Sequence, residues 1–124
     1  MDKKPGFLRP EQETRFPVDL SVVVPTHGRT DLFFITLESL RRQTLSSFEV
    51  IVTDDSPDAE DRQVIRDATM GYANQTGRPA SYLFSAPRLG QAKNTNQGLA
   101  RARGRFVRIL HSDDLIAPRT LEAE

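Results

Sequence analysis

The chain of 124 residues predicts an α/β domain built on a mainly parallel sheet flanked by helices. Three observations lead there. The apolar runs Leu20–Val24 and Val50–Val52 are near-continuous rather than alternating, the pattern of strands buried on both faces. Stretches with helical periodicity separate one run from the next. Three of the runs end in polar clusters, "PTHGR", "TDDSPD" and "HSDD", and ligands of open α/β sheets bind beyond the carboxyl ends of strands.

The elements follow in order. Residues 1–17 hold three prolines and seven charges without periodicity and read as a flexible extension. Leu20, Val22, Val23 and Val24 form the first strand, stopped by Pro25. In "RTDLFFITLESLRRQTL" a helix puts Phe33, Leu37, Leu40 and Thr44 on one face, with Leu32 and Ile35 flanking it. Thr30 or Asp31 caps its first turn. Val50, Ile51 and Val52 form the second strand. "AEDRQVIRDATMGYA" is a helix with Val64, Ile65 and Ala68 inward, and "SYLFSA" is a short third strand. The next helix turns Ala92, Leu99 and Ala102 to the sheet, and Gly104 stops it. "RFVRIL" is the fourth strand, and "PRTLEAE" begins another helix at Pro118. Right-handed crossovers connect the parallel strands.

Composition narrows the function. At 37% hydrophobic and 27% charged residues, the chain suits one soluble domain. Zero formal net charge gives no indication of whole-molecule attraction to nucleic acid or membrane. The absence of cysteine excludes disulfides, thiolate metal sites and a cysteine nucleophile. The first residues lack the apolar stretch of a signal peptide. No run approaches a membrane span. No Walker loop and no G-x-G-x-x-G follows the first strand, which disfavours a P-loop or dinucleotide-binding domain.

The chemistry should sit where the polar clusters converge. Asp113 and Asp114, just after the fourth strand, could hold Mg²⁺ or Mn²⁺ beside phosphate oxygens, or form a solvated turn before Pro118. Asp54 and Asp55 could accept from a nucleobase N–H, or make an Asx-turn into Ser56 and Pro57. His27 and Arg29 are candidate phosphate or base contacts. His111 reads more readily as structural than as an acid–base group. Arg101, Arg103, Arg105 and Arg108 read as a solvated basic surface.

In order and at these separations, four motifs resemble family 2 glycosyltransferases, enzymes of the GT-A fold. They are "LSVVVPTHGR", "TLESLRRQTLSSFEVIVTDDSPD", "LGQAKNTNQGLARARGRFV" and "ILHSDDLIAP". The third carries Gly90, Asn96, Gly98, Ala102 and Gly104 at the family's spacing. The resemblance implies a Rossmann-like, nucleotide-binding GT-A half over residues 18–124. It implies sugar transfer from a nucleoside diphosphate sugar, UDP- or dTDP-linked, to an acceptor hydroxyl, with inversion and a divalent ion, Mn²⁺ or Mg²⁺. Pro25 and Thr26 would line the nucleotide pocket, with His27 near the base and Arg29 beside it. Asp55 would take the base N–H, and Asp54 would support that turn. Asp113 would approach ribose or metal, and Asp114 would ligate the ion. Two positions depart from the pattern: His111 stands where an Asp is common, and Thr95 where an Arg is common. The family's acceptor pocket and general base lie beyond the acidic motif, so the resemblance implies a chain truncated after that motif, with an exposed sheet edge. The alternatives are a nucleotide-binding fragment without turnover and a degenerate truncated domain lacking the acceptor half. The implied location is the cytoplasm, or the inner face of the membrane as a peripheral protein.

Overall fold

The structure, a computed structural model, describes residues 17–45 and 47–111. The expected extension, apart from Pro17, lies outside the described residues, as does the helix expected near Pro118. Strands β1 (Leu20–Thr26), β2 (Phe48–Asp54), β3 (Ala80–Phe84) and β4 (Phe106–Ile109) alternate with helices α1 (Thr30–Arg41), α2 (Ala59–Thr76) and α3 (Gln91–Arg101). The sheet has the order β3-β2-β1-β4, and every pair is parallel.

Both sheet faces are covered, which is why the strand runs are continuous rather than alternating. Val22, Val24, Val50 and Val52 pack under Phe33, Leu37 and Leu40 of α1 and Ile65 and Tyr72 of α2. Val23 and Ile51 face the other way, against Ala102 and the half-buried Leu83 and Leu99. The layers are α1 and α2, then the sheet, then α3. No helix among the described residues is long and apolar enough to cross a membrane.

Several expectations are corrected. β1 runs through Pro25 to Thr26. The Thr26 carbonyl accepts from Asp55 on the β2 side, and the Val23 carbonyl accepts from Leu110 on the β4 side. Alternation along the strand therefore turns the position of Pro25's missing N–H toward β4, past the last β1–β4 pair, Val23 with Ile109. A proline is tolerated there.

Helix α1 is not capped by Thr30 or Asp31. Arg29 holds the N-cap position in the left-handed region, with φ 49°, and no side chain caps the helix. The buried stripe is Phe33, Thr36, Leu37 and Leu40; Ile35 is exposed, and Thr44 lies past the end of the helix. In α2 the stripe is Ile65, Thr69 and Tyr72, which leaves Val64 on the outer face.

In α3, Ala92 is exposed and Asn94 and Gly98 are buried. A Cβ on Gly98 would lie 2.6 Å from both Thr53 Cγ2 and Val23 Cγ1, so α3 rests on the sheet through a bare backbone. Gly104 is not a left-handed helix stop. Ala102 ends α3 in extended geometry, and Gly104 lies against β1, where a Cβ would stand 2.6 Å from Ser21 N.

The outer strand β4 leaves Phe106, Val107 and Ile109 exposed, and no strand pairs with its far edge among the described residues. At the opposite, N-terminal end of the strands, Arg78 ties the helix layer together. Its guanidinium donates to the carbonyls of Leu40 and Gln43, each at 2.9 Å, and lies 4.5 Å over the Phe48 ring.

Candidate nucleotide-sugar site

The polar clusters converge because parallel strands end on one edge. β1 delivers Thr26, His27, Gly28 and Arg29. β2 delivers Asp54, Asp55 and Ser56, β3 leads to Arg88, and β4 ends at His111. Between them opens a cleft of about 710 Å³. Pro25, Thr26, His27, Arg29 and Asp55 all line it, joined by Leu32, Arg88, Gly90, Gln91, Asn94 and His111. Asp113 and Asp114 lie outside the described residues.

The two adjacent carboxylates of β2 are used differently. Asp54 is 1% exposed and turned inward. Its Oδ1 accepts from the Ser56 N–H at 2.9 Å and the Ser56 hydroxyl at 2.6 Å, while the Tyr82 hydroxyl donates to Oδ2 at 2.5 Å. Ser56 Oγ in turn accepts from the Gly28 N–H at 2.6 Å. Asp54 therefore lines no cleft; it holds the β2 turn and, through Ser56, the loop after β1. Gly28 and Arg29 are both left-handed in that loop, with φ 64° and 49°.

Asp55 faces the cleft, only 5% exposed. Its N–H is held by the Thr26 carbonyl, and its Oδ1 accepts from the Leu89 N–H at 3.2 Å. No hydrogen bond reaches its Oδ2 among the described residues: Arg88 Nη2 stands at 3.6 Å and His27 Nδ1 at 3.9 Å. Thr26 Oγ1, on the same wall, is buried with no partner among the described residues. Thr53 Oγ1 is likewise buried without a partner among the described residues; on the cleft wall, Asp55 Oδ2 keeps only the longer ion-pair contacts with Arg88 and His27.

Two helix N-termini reach this cleft, α1 through Arg29 and Leu32 and α3 through Gly90 and Gln91. Neither has a side-chain cap, and α3 has no acid in its first turn. Uncapped helix starts favour anions. Asn94 secures α3 against the sheet: its Nδ2 donates to the Thr53 carbonyl at 2.8 Å, and its Oδ1 accepts from Gln97. Asn94 is buried, whereas Asn96 of the sequence motif is exposed.

Tyr82 carries a pH dependence. Burial, and then its hydrogen bond to Asp54, push its phenol well above the ordinary value of 10.0. A raised folded-state pKa gives stability that is complete below the unfolded value and is lost as pH rises past it. Stability is therefore expected to fall above pH 10.0, and Tyr82→Phe to remove its share of that slope. Urea unfolding at stepped alkaline pH checks this; an unchanged slope in the variant would count against it.

The model of the family described as "Glycosyl transferase family 2" matches residues 21–123. The chain belongs to glycosyltransferase family 2. A curated relative in this family is a GalNAc(5)-diNAcBac-PP-undecaprenol beta-1,3-glucosyltransferase of Campylobacter jejuni. It is 32% identical over 95 residues, 77% of this chain and 29% of the relative. The crystal structure of Staphylococcus aureus TarS residues 1–349 with UDP-GlcNAc superposes with a TM-score of 0.69 at 28% identity, over 85% of this chain and 29% of that one. A mannosyltransferase of Pyrobaculum calidifontis, solved with GDP-Man and Mn²⁺, superposes with a TM-score of 0.72 at 24% identity. That likeness shows the fold alone, which is the GT-A fold. This chain covers 34% of the mannosyltransferase, so it spans about a third or less of each of these three proteins.

Sequence reasoning missed Arg88, Ser56, Tyr82 and Asn94. Arg88 and Tyr82 act on residues 33 and 28 positions away, a coupling with no local signature. Ser56 was legible as a turn residue but not as the link to Gly28.

Proposed function

We propose that residues 18–124 form the donor-binding part of an inverting glycosyltransferase. It acts on a nucleoside diphosphate sugar, UDP- or dTDP-linked, and transfers the sugar to an acceptor hydroxyl. The observation that carries this reading is the cleft wall itself, where Asp55 Oδ2 accepts no hydrogen bond from the described residues and lies beside two uncapped helix starts. An acceptor oxygen suits a base N–H, and helix N-termini suit a diphosphate. That TarS holds UDP-GlcNAc in a similar fold supports a uridine donor.

In this reading Pro25, Thr26, His27 and Arg29 enclose the nucleotide, Asp55 takes the base N–H, and Asp54 keeps the turn in place. Asp113 meets the ribose or the metal, and Asp114 ligates Mn²⁺ or Mg²⁺. These residues fit the ion. His111 lines the cleft, the two carboxylates follow it by two and three positions in the sequence, and oxygen donors suit these ions. When bound, the ion neutralises charge on the departing diphosphate.

Calorimetric titration with UDP and Mn²⁺ tests the reading. Metal-dependent binding is expected, and Asp114→Ala should weaken it by about tenfold or more, the scale on which perturbed metal sites lose affinity. A folded chain that binds no UDP would sink the reading. The alternative is a module that holds the nucleotide without turnover. Release of UDP from UDP-GlcNAc over time separates the two.

A further inference from the structure

Helices α1 and α2 enclose a second, shallower groove of about 280 Å³, lined by Phe34 and Leu37 of α1 and by Ala68, Gly71 and Tyr72 of α2. Phe34 and its neighbour Ile35 are 50% and 48% exposed, and Val64 continues the stripe of Ala68 and Gly71 along α2. Gly71 lies inside α2, and a Cβ there would meet nothing within 4 Å. Glycine weakens a helix interior, and no contact among the described residues asks for it here, unlike Gly98. Its bare backbone keeps the groove open to whatever approaches from outside. The charges of α1 are ordered along the same face. Asp31 stands in the first turn, and Arg41 and Arg42 end the helix. Arg41 is bound to Glu38 at 2.6 Å, whereas Asp31 has Arg29 at 3.6 Å in an exposed pair, a kind that contributes little. The face is therefore acidic at one end, apolar in the middle and basic at the other.

We propose that this face joins two copies of the chain, with α1 antiparallel to α1 of the second copy. The order of charges selects that arrangement. Asp31 and Arg42 are equally far from the midpoint of α1 between Thr36 and Leu37, about 8 Å along the axis at the rise of a helix. A two-fold axis perpendicular to α1 at that midpoint sets Asp31 of each copy opposite Arg42 of the other. The same pair forms twice, as an isologous interface requires, and the helix dipoles oppose. Each Phe34 ring then lies over the groove of the other copy, where Gly71 leaves room for it. The balance of charge favours a second copy over a membrane or nucleic acid. Asp31 and Glu38 match Arg41 and Arg42 on this face, whereas an anionic surface selects a patch of one positive sign.

Sedimentation velocity of the full chain across a concentration series makes the test. The wild type is expected to pass from monomer to dimer in the micromolar range, as suits a small reversible interface. Phe34→Gln and Gly71→Gln should each weaken association about tenfold or more, the first by removing the ring and the second by filling the groove. Glutamine is the better helix former, so Gly71→Gln should keep or raise the Tm, which separates lost association from lost folding. Asp31→Arg and Arg42→Asp should each weaken the dimer about tenfold. Mixing those two variants should restore it, because only the mixed dimer sets opposite charges at both positions. A wild type that stays monomeric overturns the proposal; if that monomer floats with phosphatidylglycerol vesicles and Phe34→Gln does not, the face belongs to a membrane. A dimer that Phe34→Gln and Gly71→Gln leave intact also overturns it, and would place the contact elsewhere, as on the exposed edge of β4. Failure of the mixed charge variants to associate overturns the antiparallel arrangement.

Discussion

Asp54→Ala is expected to lose about 3 kcal/mol of stability, the upper range for hydrogen bonds to a charged group at a buried position. The same change should abolish UDP binding, although Asp54 lines no part of the cleft. Three donors converge on its carboxylate, from the Ser56 N–H, the Ser56 hydroxyl and the Tyr82 hydroxyl. Alanine would leave them buried without an acceptor. Ser56 Oγ would then lose the partner that orients it toward Gly28, and the left-handed turn at Gly28 and Arg29 would lose its tether. Asp54→Asn keeps one carbonyl oxygen for Ser56 and is expected to retain more of both properties. Urea unfolding gives the stability difference and calorimetry the affinity. Full UDP affinity in a folded alanine variant would show that the loop holds its shape without Asp54.

Arg78→Ala is expected to lose about 2 kcal/mol, again on the scale of charged hydrogen bonds. Here nucleotide affinity should be unchanged. Arg78 closes the C-terminal end of α1, where the Leu40 carbonyl accepts from the Gln43 N–H at 3.2 Å and takes Arg78 as a second donor. It donates to Leu40 and Gln43 while its guanidinium covers Phe48. It also donates to the Tyr72 hydroxyl at 3.2 Å, so its loss leaves that buried phenol without this partner. All of this lies at the strand ends opposite the cleft. Arg78→Lys should recover part of the stability, since one ammonium cannot span both carbonyls and the ring. Thermal unfolding beside UDP titration makes the check. A fall in UDP affinity with stability intact would mean that the two ends of the sheet are coupled.

These two residues mark where sequence reasoning reaches its limit. The α/β class, the order of elements and the strand cores were legible because burial on both faces of a sheet demands continuous apolar runs. The location of the cleft was legible because parallel strands must end together. Helix faces were read less well. Ile35 and Val64 are apolar yet exposed, since hydrophobicity does not fix the phase of a helix when polar Thr36 and Thr69 can take the inward positions. Gly98 was a motif residue, but its purpose is a contact of α3 with β1 and β2 that only packing creates.

The sequence by itself therefore determined the layer architecture, the family, and the five described cleft residues at the ends of β1 and β2. The resemblance already gave Asp54 the turn and Asp55 the cleft; tertiary structure alone decided the partners, Ser56 and Tyr82, that bind Asp54 inward. It also decided that Arg88 stands beside Asp55 and that Arg78 closes α1. The physical reason is reach. Backbone pattern and burial are written in neighbouring residues, whereas a side-chain hydrogen bond to a residue 28 or more positions away exists only once the sheet has brought its strands together.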